Sequence, residues 1–414
     1  MKIKREAARH SHKIGRGPSW VFVAALASGL AACGSSSLPT SSSNGAAATN
    51  LGAVPRNSGS IKIGVMTNDT GAYATLGGPL RKAAQMVFDQ FNQAGGVGGN
   101  KIDPIYLDGQ TSPNLAVTQA HQLVSDHVAA VIGVEFGTAA HAVAPIFEAA
   151  HIPVVTVTAD ETITTPVNPW IFDISPAMKY SNQRVASYLS CKDITKVAVL
   201  HDTESLGVQG NADLLASVHN RGVKVVADQS YDLTGTNFET QLMALGQTSA
   251  QAIVYWGVGT APVTIVKEYS ALGIKAALIG GPANADPTFL SQVMPAVNGM
   301  VDVTTPADLL KHLPASTPDK ADLLNFSGSY SAKFNQPFGL FPSLGHDAAE
   351  AIVTALKAGA TTPQAIQQQL NDNFTVQGFN GTIHFTSSDH TGVQLSDMVM
   401  ARIVDGEAEP TKCQ

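Results

Sequence analysis

Residues 130–157 read AVIGVEFGTAAHAVAPIFEAAHIPVVTV, and the fold class turns on this stretch. Ala130 to Gly133 and Val154 to Val157 are short apolar runs of strand length, and a helix from about Thr138 to Ala150 is expected between them. Apolar strands joined through a helix belong to a parallel sheet covered on its faces, with right-handed connections. The same unit recurs downstream as strand Ala252 to Trp256, helix Ala261 to Leu272 and strand Ala277 to Ile279. The chain therefore repeats one plan in two halves.

Working outward from the first unit, Ile61 to Met66 reads as a strand. Pro79 is expected to open a helix whose apolar positions Leu80, Ala83, Ala84, Val87, Phe88 and Phe91 follow three-and-four spacing, and Gly95-Gly96 stops it. A strand around Ile105 to Leu107 precedes a helix with Ser112 as N-cap and Pro113 as its first residue. Prolines 166, 169 and 176 break the rhythm between Asp160 and Pro176, which reads as a first crossing between lobes. The alternation resumes with a helix near 178–190, strand Val197 to His201, helix Gln209 to Asn220, strand Val223 to Asp228 and helix Asn237 to Gly246. Beyond Gly299 a strand-like segment (Met300 to Thr304) leads to helices near 320–334 and 344–358, and segments 383–385 and 398–404 close the chain. The expected architecture is α/β, with two similar doubly wound parallel-sheet lobes joined by a three-crossing hinge. The first lobe takes 61–175 plus about 300–385, and the second takes 176–299 plus about 386–414. In such sheets ligands bind beyond the carboxyl ends of the strands, where helix N-termini offer free N–H groups.

Ahead of these lobes, residues 1–32 carry six basic residues and then an apolar run from Trp20 to Leu30 that is too short to span a bilayer comfortably, the pattern of a signal peptide. Leu30-Ala31-Ala32-Cys33-Gly34 resembles the lipobox of bacterial lipoproteins, which implies cleavage before Cys33 and its lipid modification. Residues 33–60 are rich in Ser, Ala, Asn, Gly and Thr and read as a flexible tether reaching about 30 Å. The expected location is the outer face of the cell membrane. Removing residues 1–32 leaves 19 basic against 31 acidic residues, so the net charge moves from −7 to −12 and nucleic acid is excluded as a natural partner. Cys191 and Cys413, the remaining cysteines, either form one disulfide tying the C-terminal tail to the body or stay as free thiols.

Several motifs carry a family resemblance. Ile61-Lys62-Ile63-Gly64-Val65, the Thr70-Gly71-Ala72-Tyr73 loop, residues 92–99 (NQAGGVGG) and Val131-Ile132-Gly133 are similar to the opening lobe of the leucine/isoleucine/valine-binding proteins. His201-Asp202 with Gly207, Val254-Tyr255-Trp256-Gly257, Leu272-Gly273-Ile274 and Gly345-His346-Asp347-Ala348-Ala349 resemble later landmarks of these type I binding proteins of ABC importers. The resemblance implies a monomeric protein without cofactor or metal. It captures a small polar ligand, an amino acid or a related compound such as an amide or aromatic acid, with a polyol or a cationic ligand also open, by closing two lobes, and then docks on a membrane ABC permease.

The same resemblance points to site residues. Glu135-Phe136-Gly137-Thr138 and Thr158-Ala159-Asp160-Glu161 fall at the loops that hold an amino acid's carboxylate in the family. Gly137 stands where serine is frequent, with Thr138 beside it able to offer a hydroxyl. Asp160 stands where threonine or serine is expected, so it would repel a ligand carboxylate unless protonated or paired, or else it caps the turn into the hinge. Leu76 and Leu206 replace aromatic residues, and Ala283 falls near the acidic partner of the ammonium, with Asn284 and Asp286 close by. Tyr73, Phe136 and Trp256 supply either stacking surface or plain lobe core. The binding set is completed by Ala159 and by Gly259 in the 256–260 loop.

Enzymatic constellations are largely missing from the sequence. Gly257-Val258-Gly259-Thr260-Ala261-Pro262 has two glycines of a dinucleotide fingerprint but not the third, and neither a phosphate loop nor an H-E-x-x-H pair occurs. Ser343 ahead of His346-Asp347 invites a hydrolase reading, yet Phe341 breaks the nucleophile-elbow pattern and Ser343 reads better as a helix N-cap. His201-Asp202 reads as a turn at the cleft edge. The competing functions are a ligand sensor on the same fold and a hydrolase using the cleft.

Overall fold

The structure, a computed structural model, describes residues 59–414; the expected signal peptide (1–32), Cys33 and all of the expected tether (33–60) but its last two residues lie outside the described residues. Five parallel strands, β1 (Ser60–Thr67), β2 (Lys101–Asp108), β3 (Ala130–Gly133), β4 (Val154–Thr156) and β5 (Ile171–Asp173), form a sheet in the order β2-β1-β3-β4-β5. Helices α1 (Ala74–Gln93), α2 (Pro113–Ser125) and α3 (Gly137–Ala150) connect them. The second series runs α4 (Met178–Cys191), β6 (Lys196–Asp202), α5 (Ser205–Val218), β7 (Lys224–Tyr231), α6 (Glu239–Gly246), β8 (Ala252–Trp256), α7 (Ala261–Ala271), β9 (Ala277–Gly280), α8 (Pro287–Val293) and β10 (Val301–Thr304). After it come α9 (Lys320–Phe334), α10 (Leu340–Lys357), α11 (Pro363–Asn371), the hairpin β11 (Phe374–Gly378) and β12 (Gly381–Phe385), and finally β13 (Val399–Val404) and β14 (Glu407–Pro410).

The second sheet has the order β14-β13-β10-β9-β8-β6-β7, so its parallel part, 7-6-8-9-10, repeats the 2-1-3-4-5 order of the first. The fully buried β3 and β8 are apolar on both faces because helices cover both sides of each sheet. Each sheet has a topological switch point, at β1/β3 and at β6/β8, where the connections leave in opposite directions and open a crevice. Helix α10 packs along α1, and its Gly345 lies so close that an added Cβ would stand 2.1 Å from the Leu80 carbonyl oxygen. The chain passes between the sheets at 174–177, 305–319 and 386–398. The tail is held by a disulfide from Cys191, at the end of α4, to Cys413.

Four sequence expectations need correction. The strand after Gly299 belongs to the second sheet: Val301 pairs with Ile279 of β9 and with Arg402 of β13, so the chain leaves the second lobe after Thr304 and not near 300. Helix α1 begins at Ala74 with Pro79 inside it, because the turn at Gly71 (φ 87°) and the Leu76 and Gly77 amides bonding to the Tyr73 carbonyl start the helix a turn earlier. Helix α5 begins at Ser205 and not near Gln209, since the Asp202 carboxylate accepts from Gly207 N and fixes the first turn. Helix α10 begins at Leu340, and Ser343 is not its cap. Asp308 Oδ1 takes Leu340 N at 2.9 Å and Asp286 Oδ2 takes Phe341 N at 3.3 Å, so carboxylates distant in sequence satisfy the first amides. Ser112, in contrast, caps α2 through its hydroxyl to Leu115 N.

Candidate ligand-binding cleft

The carboxyl ends of the two sheets face each other across a cavity of about 50 Å³. Leu76, Glu135, Val157, Thr158 and Ala159 come from the first lobe, and Leu206, Trp256, Gly257, Val258 and Ala283 from the second. Ser175 and Pro176 of the first crossing, Met178 at the start of α4, and Leu340, Phe341 and Leu344 of α10 complete the lining. A smaller space of about 10 Å³, lined by Thr75, Gly259, Pro262 and Asn284, shares Val258, Ala283 and Phe341 with it.

The first wall is built at the ends of β3 and β4, where the backbone turns sharply. Val134 and Ala159 both adopt left-handed conformations (φ 58° each), which costs an L-residue about 1–2 kcal/mol and is tolerated where the surroundings over-determine it. The turn after β3 delivers Glu135 into the cavity wall. Its Oε2 accepts from Asn68 N at 2.8 Å and also from Asn68 Nδ2, while its Oε1 has no partner. Burial pushes the Glu135 carboxyl up to about 8. On the second wall Asp202 caps the start of α5, with Oδ1 accepting from Glu204 N (2.9 Å) and Gly207 N (3.2 Å) and Oδ2 left without a partner; burial pushes it up to about 7. The Trp256 indole Nε1 and both side-chain polar atoms of Asn284 are also buried without partners.

The lobes touch. Thr138 Oγ1 donates to Glu204 Oε2 at 3.0 Å, and Gln209 Nε2 reaches Glu161 Oε1 at 3.4 Å. A Cβ on Gly137 would lie 2.3 Å from Ser205 Oγ of the other lobe and 2.3 Å from Asp160 Oδ2. A Cβ on Gly259 would lie 2.4 Å from the Ala72 carbonyl oxygen. These approaches describe a shut cleft.

Residues 60–408 match the family model described as periplasmic binding protein. The chain belongs to the periplasmic binding protein family. Among its relatives, the "Leucine-, isoleucine-, valine-, threonine-, and alanine-binding protein" of Pseudomonas aeruginosa is 25% identical over 76% of this chain and 82% of its own length. The Leu/Ile/Val-binding protein homolog 3 of Brucella melitensis is 24% identical over 79% of this chain and 88% of its own. The fold is shared with the isoleucine complex of the LivJ substrate-binding protein from Streptococcus pneumoniae (TM-score 0.74, 22% identity, 84% of this chain and 98% of that one). It is shared equally with a Rhodopseudomonas palustris solute-binding protein in complex with benzoate (TM-score 0.76, 18% identity, 85% and 95%).

In this periplasmic binding protein the residues singled out from sequence take four positions. Leu76, Ala159, Leu206 and Trp256 line the main cavity, and Gly259 and Asn284 line the smaller one. Gly137 and Thr138 form the lobe-to-lobe contact. Tyr73 and Phe136 are buried against each other with ring centroids 5.4 Å apart, and the Tyr73 phenol is pushed up by burial and by Asp202, Glu204 and Glu135. Asp160 caps the 3-10 turn 161–163, accepting from Thr162 N (3.0 Å) and Thr162 Oγ1 (2.5 Å), with His141 Nε2 at 3.3 Å.

The sequence reading did not single out Glu135, Met178, Phe341 or Leu344. Glu135 stood in a loop already marked for the site, but nothing local says which of its neighbours turns inward. Met178 and Phe341 reach the cavity only because the chain crosses between lobes and returns. The serine of the hydrolase reading is committed elsewhere: Ser343 Oγ is buried inside α10, donating to the Leu340 carbonyl (2.6 Å) and accepting from Asn380 Nδ2 (2.9 Å). Asp347 takes Phe379 N, Asn380 N and Asn380 Nδ2, so the Gly345-His346-Asp347 motif ties the β11–β12 turn to α10.

Proposed function

We propose that this binding protein is the exported, lipid-anchored receptor of an ABC importer, a monomer held to the outer face of the membrane through Cys33, and that it performs no chemistry on its ligand. The observation that carries the reading is the mainly apolar cavity built from both lobes and the hinge, since a solute touching both walls stabilises the closed form relative to the open one. A cavity of about 50 Å³ holds the equivalent of roughly three to five waters at about 10–15 Å³ each, which fits a small solute. The relatives named for aliphatic amino acids and the fold neighbours holding isoleucine and benzoate support a small ligand with an apolar body.

The test is a thermal-shift screen of the purified protein against amino acids, amines, amides, sugars and aromatic acids. A true ligand at 100 times its dissociation constant adds about 2.7 kcal/mol of stability, a shift of several degrees. Trp256 lines the cavity and gives a fluorescence change on binding. Silence of every solute in both readouts would remove the solute-binding reading. Loss of uptake of the identified ligand on deleting the protein separates transport from sensing.

A further inference from the structure

The cavity wall of this chain offers no positive charge to a carboxylate. Among the described residues no Lys, Arg or His side chain lines the cavity, and its one ionisable lining side chain is Glu135. Glu135 is only 3% exposed, and its Oε1 has no hydrogen-bond partner. A buried acceptor left unmade costs about 1–3 kcal/mol, more if charged, and a bound donor would remove that cost. A second unpartnered carboxyl oxygen, Asp202 Oδ2, comes from the opposite lobe and lies against Gly257, where an added Cβ would stand 3.3 Å away. The rest of the lining is mainly apolar, with Leu76, Val157, Met178, Leu206, Phe341 and Trp256.

On the reading of the protein as a solute receptor, we infer that its ligand is a small organic cation, a protonated amine with a compact apolar body and no carboxylate, whose ammonium binds Glu135. Two neighbouring features give a carboxylate no support: Gly137 offers no hydroxyl, and Asp160 has its oxygens engaged by Thr162 and His141. An ammonium, in contrast, supplies the counter-charge that a carboxyl buried at this depth lacks. The apolar lining then selects for a branched or cyclic hydrocarbon body, and Trp256 adds a cation–π surface.

The experiment uses four matched probes on the full chain: isobutylamine, valine, 3-methylbutanoate and 3-methylbutanamide. They share one isobutyl body and differ only in the polar group: ammonium, ammonium with carboxylate, carboxylate, or neutral carboxamide. Titration calorimetry and Trp256 fluorescence are expected to rank isobutylamine at least tenfold tighter than the other three. Glu135→Gln is expected to weaken isobutylamine by roughly 100-fold, about 2.7 kcal/mol, while melting at or above the parent temperature because a buried unpaired carboxyl is gone. Preferred binding of valine or 3-methylbutanoate overturns the inference and leaves the receptor reading intact. So does amide binding equal to the amine with no response to Glu135→Gln. Should that variant fail to fold, the ranking of the four probes on the parent protein still decides. If neither these probes nor the wider screen binds, the receptor reading falls as well.

Discussion

Single atoms decide whether this cleft can shut. Gly137 has room for hydrogen only, because Ser205 Oγ of the facing lobe occupies the place of a Cβ at 2.3 Å. Gly137→Ala is expected to oppose closure and weaken binding of the identified ligand by roughly tenfold, about 1.4 kcal/mol. Adding Ser205→Gly should restore the part of the loss due to the facing lobe, while the equal approach to Asp160 Oδ2 remains, and a calorimetric double-mutant cycle checks the coupling. At the same scale, Asp302 is fully buried with neither carboxyl oxygen partnered, and burial, with Asp308 nearby, pushes its carboxyl well above the usual range. The folded chain therefore keeps a proton on Asp302 that the unfolded chain releases above about pH 4. The associated stability is complete below pH 4 and is lost as pH rises toward the folded value, by at most about 1.4 kcal/mol per pH unit. Asp302→Asn removes this dependence, so its advantage over the parent should grow between pH 5 and 8 in urea unfolding. An advantage that shrinks over that range would refute the assignment.

Among the elements, the α1–α10 pair bears most directly on the site, since α1 carries Leu76 and α10 carries Phe341 and Leu344 into the cavity wall. Their spacing is set by Gly345, whose Cα lies against the Leu80 carbonyl. Alanine is favoured over glycine in a helix by about 1 kcal/mol, but a Cβ placed 2.1 Å from a backbone oxygen forces the helices apart. The clash outweighs the propensity, and Gly345→Ala is expected to destabilise by about 1–3 kcal/mol in denaturant unfolding. The N-terminus of α10 was also the element boundary least legible in sequence. Ser343 has the chemistry of a cap, and a local reading has no access to Asp286 and Asp308, which reach the Leu340 and Phe341 amides from the second lobe and the second crossing. Helices with local caps, such as α2 behind Ser112, could be read directly.

For the molecule as a whole, the Cys191–Cys413 bond joins α4 to the tail across 222 residues of sequence. The Cys191→Ser/Cys413→Ser pair is expected to cost about 2–4 kcal/mol in urea unfolding, and reduction of the parent should cost the same. The α/β class, the two repeated halves and most helix faces were open to sequence reading, because short apolar runs and three-and-four spacing are local consequences of burying strands and helices. The landmark residues Leu76, Ala159, Leu206 and Trp256 could be brought to one cleft by resemblance alone, and the structure places all four around one cavity. The rest depended on long-range pairing. β10 joined the second sheet because β9 and β13 flank it, and Met178 and Phe341 became cavity wall because the chain crosses and returns. Glu135 became a buried carboxyl with one free oxygen only once β1 and β3 were set side by side and Asn68 met its other oxygen. Periodicity encodes which face of an element is apolar; which side chains then meet across a cleft, and with what charge, is fixed by the packing of segments far apart in the chain.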